Sequence, residues 1–488
     1  MKDRIYYMCD DIKIKEECGV FGIAETSACD VASQVYFALY ALQHRGQESC
    51  GIAVNDRGVI TYYRDLGLVY EVFNPERLAS LGGGKMAIGH VRYSTTGDVK
   101  RSNAQPLVVK HVKGPLALCH NGNITNAYDL RRRFEMNGAI FHGTNDTEVI
   151  AYLITNARLE TESIEAAVEK AMYDLKGAYS LVVMSAQKLI AARDPIGFRP
   201  LCIGRTKSGG YVVASESCAL DSIGAKFIRD IDPGEIVVIK DGEIKSIRTH
   251  CADKKPHICV FEYIYIARPD SVIQGASVHE ARLRAGEFLA KSHPVEADVV
   301  IGVPDSGLDA ALGYSRASGI PYGVGFIKNR YVGRSFIQPT QEMRDNAVRI
   351  KLNVLKSVVD GKRVIMIDDS IVRGTTSARI VRLLRNAGAT EVHVRVSSPP
   401  FTNPCYFGVD IDSREKLIAC RRTLDEICKD IGADSLEYLS IDDVRRIADT
   451  ESCDFCDGCF TGNYPCDVPE QVSKSKFETK IQEQLEFS

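Results

Sequence analysis

Midway along the chain the hydrophobic pattern changes period, and that change limits the folds open to it. Up to about residue 250 the apolar residues fall in short alternating runs, at 19–24, 51–54 and 59–63, separated by Gly and Asp turns. Helical stretches at 147–157 and 164–175 interrupt them, which predicts an α+β layer arrangement. From about Val299 the pattern becomes apolar strand, glycine-containing loop, helix: VVIGVPDSG, then RVIMIDDSIVRGTTSARIVRLLRNAG, then EVHVRVSSPP. Strands joined through helices run parallel, so the second half is expected to be an α/β domain with a parallel sheet and crossover helices. The polar segment 248–257 is the expected join. The tail from about Val468 is charged and poor in apolar residues, which suits a loosely held helix or disorder.

Composition narrows the functions. With 488 residues, 45% hydrophobic and 26% charged, disorder and collagen-like structure are excluded and each half can bury a core. The net charge of -3 offers no general field for nucleic acid or an anionic membrane, so any phosphate must be held by local groups. No run approaches the roughly 18 apolar residues of a membrane span, and the N-terminus lacks the apolar run of a secretory signal. A cytoplasmic protein is expected, with no nucleic-acid or membrane partner. Its sixteen cysteines should then be reduced, and the spaced ones read as metal-ligand or catalytic candidates. There is no repeat, coiled coil or low-complexity tract.

In the first half, EECGVFGIAE puts Cys18 after two acidic residues and before an apolar strand. LQHRGQESCGIA, GHVRYSTTG, CHNGNITN and TNDTEVI follow in that order. Together these segments resemble the glutaminase domain of the N-terminal-nucleophile amidotransferases, which implies an αββα sandwich. The resemblance also implies removal of a propeptide, residues 1–17, so that Cys18 becomes the first residue. A free α-amino group titrates near 8, so it can take the thiol proton and return it to leaving ammonia. Cys9 is a rival start, but Asp-Asp follows it rather than the Gly-Val-Phe-Gly strand. Arg92 offers two prongs to the glutamine α-carboxylate and Asp146 a charge to its α-ammonium. Asn121 and the Gly122 N–H match the family's oxyanion hole; the bland alternative for NGN is a turn. His44, His90 and His120 are read as structural.

In the second half, VIMIDDSIVRGTT ends an apolar strand with paired aspartates and then opens a helix through a hydroxyl- and glycine-rich loop. Ser370, Gly374, Thr375 and Thr376 can supply converging N–H and O–H donors to a phosphate, while Asp368 and Asp369 face ribose hydroxyls and a magnesium-bound diphosphate. These thirteen residues look like the signature of type I phosphoribosyltransferases, which bind phosphoribosyl pyrophosphate (PRPP); on that likeness Arg373 joins the PRPP-binding residues. The GVPDSG loop, with Asp305, Ser306 and Gly307, suits the pyrophosphate, and Ser306 is a further Mg2+ contact. Residues 328–353 resemble the family's lid, with Lys328, Arg344 and Lys351 facing phosphates and Phe336 and Ile337 walling an apolar ammonia passage.

Both halves in this order resemble the glutamine phosphoribosylpyrophosphate amidotransferases. The resemblance implies a glutaminase domain at 18–250, a phosphoribosyltransferase domain at 251–467 and a tail at 468–488, and the first committed step of purine synthesis. Purine nucleotide feedback inhibitors and a homotetramer follow from it alone. The C-x-x-C pair Cys456 and Cys459 gives two thiolates, which cannot fill four positions around a metal centre. The iron–sulfur branch of the family implies Cys259 and Cys405 as the other ligands of a [4Fe-4S] cluster. Cys453, which makes a second C-x-x-C with Cys456, and Cys466 remain alternatives, and zinc is the rival metal. Rival functions are another glutamine amidotransferase with a different acceptor, or a PRPP-sensing regulator without catalysis.

Overall fold

The computed structural model describes residues 18–93, 99–251, 256–329, 352–411 and 413–469. The first half forms two antiparallel sheets. One has the spatial order Lys226–Asp230, Cys202–Arg205, Tyr211–Ala214, Gly19–Cys29, Gly84–Arg92, Ser49–Asp56, Val59–Leu66; the other runs Glu243–Ile247, Ile236–Lys240, Leu189–Arg193, Gly177–Ser185, Gly114–Ile124, Leu107–His111. Their inner faces meet in one apolar layer that includes Val20, Ile88 and Val213 with Cys119, Val182 and Val237. The helix Val31–Ala41 covers the outer face of the first sheet through Val31, Val35 and Leu39. Ala127–Met136, Asp146–Glu160 and Ile164–Met172 cover the second. The expected αββα sandwich is therefore present.

The expected alternation is not. The first seven residues of Gly19–Cys29 are all buried, because both faces of this central strand are covered, and a strand covered twice gains nothing from a polar face. The strand also continues to Cys29, where its last residues are exposed.

In the second half the strands Val299–Gly302, Arg363–Asp368, Glu391–Val396 and Ser435–Tyr438 lie side by side in that order, all parallel. The crossover helices Gly307–Ser318 and Thr375–Asn386 start just beyond the first two. The expected join at 248–257 includes residues 252–255, which lie outside the described residues. Beyond it, His257–Cys259 pairs in parallel with Asp454–Cys456, tying the join to the far end of the chain. The halves are not separate bodies: Ala178 and Phe198 of the first share a core with Phe261, Tyr263, Phe401 and Phe407 of the second, and the Phe198 and Phe407 rings stack at 4.1 Å.

Candidate active site

Cys18 precedes the central strand of the first sheet, and pairing of Gly19 with Val91 sets it beside the end of Gly84–Arg92. It is 6% exposed. Its thiol donates to the Tyr93 carbonyl at 3.2 Å, and its own carbonyl accepts from Arg45 Nε at 3.0 Å. Arg92, also buried, closes the same strand. Asn121 and Gly122 come from Gly114–Ile124 in the opposite sheet. His90 Nε2 joins the sheets there, donating to the His120 carbonyl at 2.9 Å, and neighbouring Cys119 lies within electrostatic reach of Cys18. Cys18, Arg92, Asn121 and Gly122 thus come from strands of the two facing sheets.

The sandwich also sets their charges. Burial pushes the His90 imidazole down to about 3, so it is neutral while it bridges the sheets through the His120 carbonyl. Asp146 opens the helix Asp146–Glu160, whose Asn145 cap accepts the Glu148 N–H. Burial raises the Asp146 carboxyl, but His120 at 3.4 Å and the Ile124 N–H at 3.0 Å outweigh it and leave the group below the usual carboxylate range. The anion is held in place before any ligand arrives. His44 pairs with Glu216 at 2.8 Å.

The Asn121 amide is 1% exposed, and among the described residues neither its nitrogen nor its oxygen has a hydrogen-bond partner. A buried amide left so costs free energy, on the order of 1–3 kcal/mol per group, and marks a place where a partner is expected. The turn alternative for NGN is corrected: these residues continue the ladder, with Asn121 opposite Ser180 and Gly122 opposite Tyr179. Gly122 has φ +137°, and a Cβ there would sit 2.2 Å from the Ala178 carbonyl oxygen, so the glycine serves close strand approach rather than a hairpin.

The second constellation lies where open α/β sheets bind ligands, at the carboxyl ends of neighbouring parallel strands. Asp368 ends its strand, and Asp369 and Ser370 follow, all buried. Asp369 accepts the Ser306 hydroxyl at 2.6 Å and the Ser370 hydroxyl at 2.5 Å, so the two loops lock onto one carboxylate. Gly307 permits this, because a Cβ there would lie 2.5 Å from the Ile367 carbonyl oxygen. The helix Thr375–Asn386 starts at Gly374 without a side-chain cap, leaving its first-turn N–H groups, including those of Thr375 and Thr376, for an anion. Arg373, Gly374 and Thr375 line a cavity of about 450 Å³ together with Arg421 and Arg422, two cations the sequence reading passed over. Lys328 pairs with Asp305 of the GVPDSG loop. Arg344, Lys351, Phe336 and Ile337 lie outside the described residues. Two carboxylates and a hydroxyl make an all-oxygen donor set that fits Mg2+.

The tail strand Asp454–Cys456 lies beside Cys259, and Cys405 acts electrostatically on both Cys456 and Cys459. Cys259 sits directly across from Cys456, and the thiols acting most strongly on Cys459 are Cys405, Cys259 and Cys456. Cys453 instead acts on Arg193 and Tyr263, and Cys466 lies near Asp194. Burial pushes Cys456 up to about 12 and Cys459 well above the ordinary thiol value. No described cysteine forms a disulfide. Such thiols give up their protons when a cation takes their place, so this sulfur-only set fits iron or zinc. Among the described residues no three ligating side chains close in around a single ion's position.

Sequence reasoning missed a fully buried set of charges, Arg45, Arg199, Glu216 and Glu262. Arg45 lay inside the quoted LQHRGQ segment, but nothing local distinguishes a buried arginine from an exposed one.

Comparison with known proteins agrees with both halves. Residues 90–222 match the glutamine amidotransferase domain and residues 277–405 the phosphoribosyl transferase domain. The amidophosphoribosyltransferase of Methanocaldococcus jannaschii is 50% identical over 465 residues, covering 92% of this chain and 98% of the relative. That of Bacillus subtilis is 48% identical over 468 residues, covering 94% and 97%. The glutamine PRPP amidotransferase structure from B. subtilis, complexed with ADP and GMP, superposes with a TM-score of 0.87 at 46% identity, covering 94% of this chain and 100% of that one.

Proposed function

The chain belongs to the amidophosphoribosyltransferase family, and from that premise we propose how its residues divide the reaction. Glutamine, PRPP and water give 5-phosphoribosylamine, glutamate and pyrophosphate, the first step of purine biosynthesis. Removal of residues 1–17 frees the Cys18 α-amine, which takes the thiol proton. The thiolate attacks the glutamine side-chain amide, and the oxyanion is received by the Asn121 amide and the Gly122 N–H. The amine returns the proton to departing ammonia, and water then hydrolyses the thioester to glutamate. Arg92 holds the substrate's α-carboxylate and Asp146 its α-ammonium. The buried Asn121 amide, without a partner among the described residues, carries this reading, since it is a donor those residues leave unused.

Ammonia then displaces pyrophosphate at the ribose C1. Ser370, Arg373, Gly374, Thr375 and Thr376 hold the 5-phosphate, and Asp305, Ser306, Gly307 and Lys328 hold the diphosphate. Arg344 and Lys351 cover it. Asp368, Asp369 and Ser306 would hold Mg2+, which neutralises diphosphate charge. Ammonia released into water is mostly protonated and unreactive, so transfer is enclosed and glutamine hydrolysis accelerates when PRPP binds.

Cys259, Cys405, Cys456 and Cys459 would hold a [4Fe-4S] cluster that fastens the tail, since neither reaction moves an electron. ADP and GMP in the B. subtilis structure support regulation by purine nucleotides. A cytoplasmic homotetramer completes the reading; among the described residues no helix is long and apolar enough to cross a membrane. The test is phosphoribosylamine formation from glutamine plus PRPP by anaerobically purified protein, with intact mass and metal content measured on the same sample. Full activity with Met1–Glu17 retained overturns the nucleophile assignment, and one zinc without iron overturns the cluster.

A further inference from the structure

One chain of buried charges connects the two halves, and one of its ends is the nucleophile. Arg45, Arg199, Glu216 and Glu262 are fully buried. Arg45 donates through Nε to the Cys18 carbonyl at 3.0 Å, through Nη1 to Glu216 at 2.5 Å, and as a fork to both oxygens of Glu262 at 2.9 and 2.8 Å. Glu262 belongs to the second half, 217 residues away. Its Oε1 also accepts from Arg199 Nη1 at 3.3 Å, and Arg199 spends Nε and Nη2 on the Phe407 carbonyl at 3.2 and 2.7 Å. Gly408 makes room for that contact: a Cβ there would lie 2.9 Å from Arg199 Nη2.

The residue before Phe407 is gripped as well. Asn123, next to Gly122, donates its side-chain amide to the Tyr406 carbonyl at 2.7 Å. Tyr406 and Phe407 of the second half are thus fastened through the charge chain to the main chain of Cys18 on one side, and to the strand carrying the proposed oxyanion donors on the other. Glu216 completes the frame, accepting from Ser271 Oγ at 2.6 Å and the Arg268 N–H at 3.0 Å.

Two guanidinium and two carboxylate groups balance in charge. Replacing a buried ion pair by apolar residues is often neutral for stability, so such a chain is weak evidence for stabilisation as its purpose. Rigid forks on both sides of a catalytic pocket are, by contrast, what fixing a nucleophile to within about 0.5 Å calls for.

We propose that the Arg45–Glu262–Arg199 chain positions the Cys18 main chain, so that Tyr406 and Phe407 of the second half set the geometry of glutamine hydrolysis. These are positioning residues and touch no substrate. The inference rests on the assignment of Cys18 as nucleophile.

The test uses the full-length protein and the variants Glu262→Gln, Arg199→Gln and Cys18→Ala. Glu262→Gln keeps the shape of the fork and removes its charge. Its glutaminase kcat should fall about 10²-fold with KM for glutamine moved less than about threefold, and the pH profile of Cys18 alkylation should shift. Synthesis from external ammonia should stay within about twofold of the parent. Arg199→Gln leaves Arg45 paired with both glutamates and should show the same split at about a tenth of the size, which keeps the test open if Glu262→Gln does not fold. The proposal is overturned if Arg199→Gln leaves glutaminase kcat and the alkylation profile untouched, or if ammonia-driven and glutamine-driven synthesis fall together. If Cys18→Ala still hydrolyses glutamine, the nucleophile assignment falls and the proposal with it.

Discussion

The two reaction sites are built on opposite plans. The proposed glutamine pocket is enclosed: Cys18, Arg92, Asn121 and Asp146 are each less than a tenth exposed and come from segments spread over about 130 residues and both sheets of the sandwich. The proposed PRPP platform comes mostly from two loops at the ends of adjacent strands and mixes buried groups, Ser306, Asp368 and Asp369, with exposed ones, Asp305 and Thr375. The chemistry explains the contrast. A thiolate and an oxyanion gain most from fixed dipoles in a site without water. A diphosphate brings its own charges and needs chiefly N–H groups and cations arrayed at an entrance.

That contrast can be broken, and the largest effect should come from its nucleophile. Cys18→Ala should lower glutamine-dependent synthesis by about 10³-fold or more while synthesis from high external ammonia survives, as steady-state assays with either nitrogen donor will show. Loss of both activities would mean the sites are not separable. Asp368→Asn should lower both by about 10²-fold or more, because the acceptor site serves either donor. Asn121→Ala sharpens the enclosed half: glutaminase kcat should drop about 10²–10³-fold with little change in KM, since a donor used only by the oxyanion leaves substrate binding alone.

Smaller effects concern the fold beneath the pocket. Gly122→Ala sets a Cβ against the Ala178 carbonyl oxygen at positive φ, and should cost about 2–4 kcal/mol in denaturant unfolding. A further effect is the pH response of His90. Its folded value is lowered to about 3, so the unfolded chain takes up the proton first as pH falls through about 6.5. Its contribution is complete above that point and is lost toward pH 3. The urea midpoint should fall over that window in the parent, and less so in His90→Gln.

The platform was the more legible of the two sites. In VIMIDDSIVRGTT the strand, the paired aspartates and the phosphate loop are neighbours in sequence, so local periodicity places Asp368, Asp369 and Thr375 without reference to the rest of the chain. The NGN segment shows the opposite case: its local preference suggests a turn, and pairing with Gly177–Ser185 overrides it. Central strands such as Gly19–Cys29 hid their period because both faces are covered.

By itself, then, the sequence determined the sandwich followed by a parallel sheet, the family, and the residue types at each contiguous motif. Tertiary structure alone decided that Cys259 stands across from Cys456, that Arg421 and Arg422 join Arg373 around one cavity, and that Arg45 grips both Cys18 and Glu262. The physical reason is range. Strand period and loop chemistry act over a few residues and leave their mark there, whereas a buried charge needs a partner that folding can bring from hundreds of residues away, as Glu262 comes to Arg45.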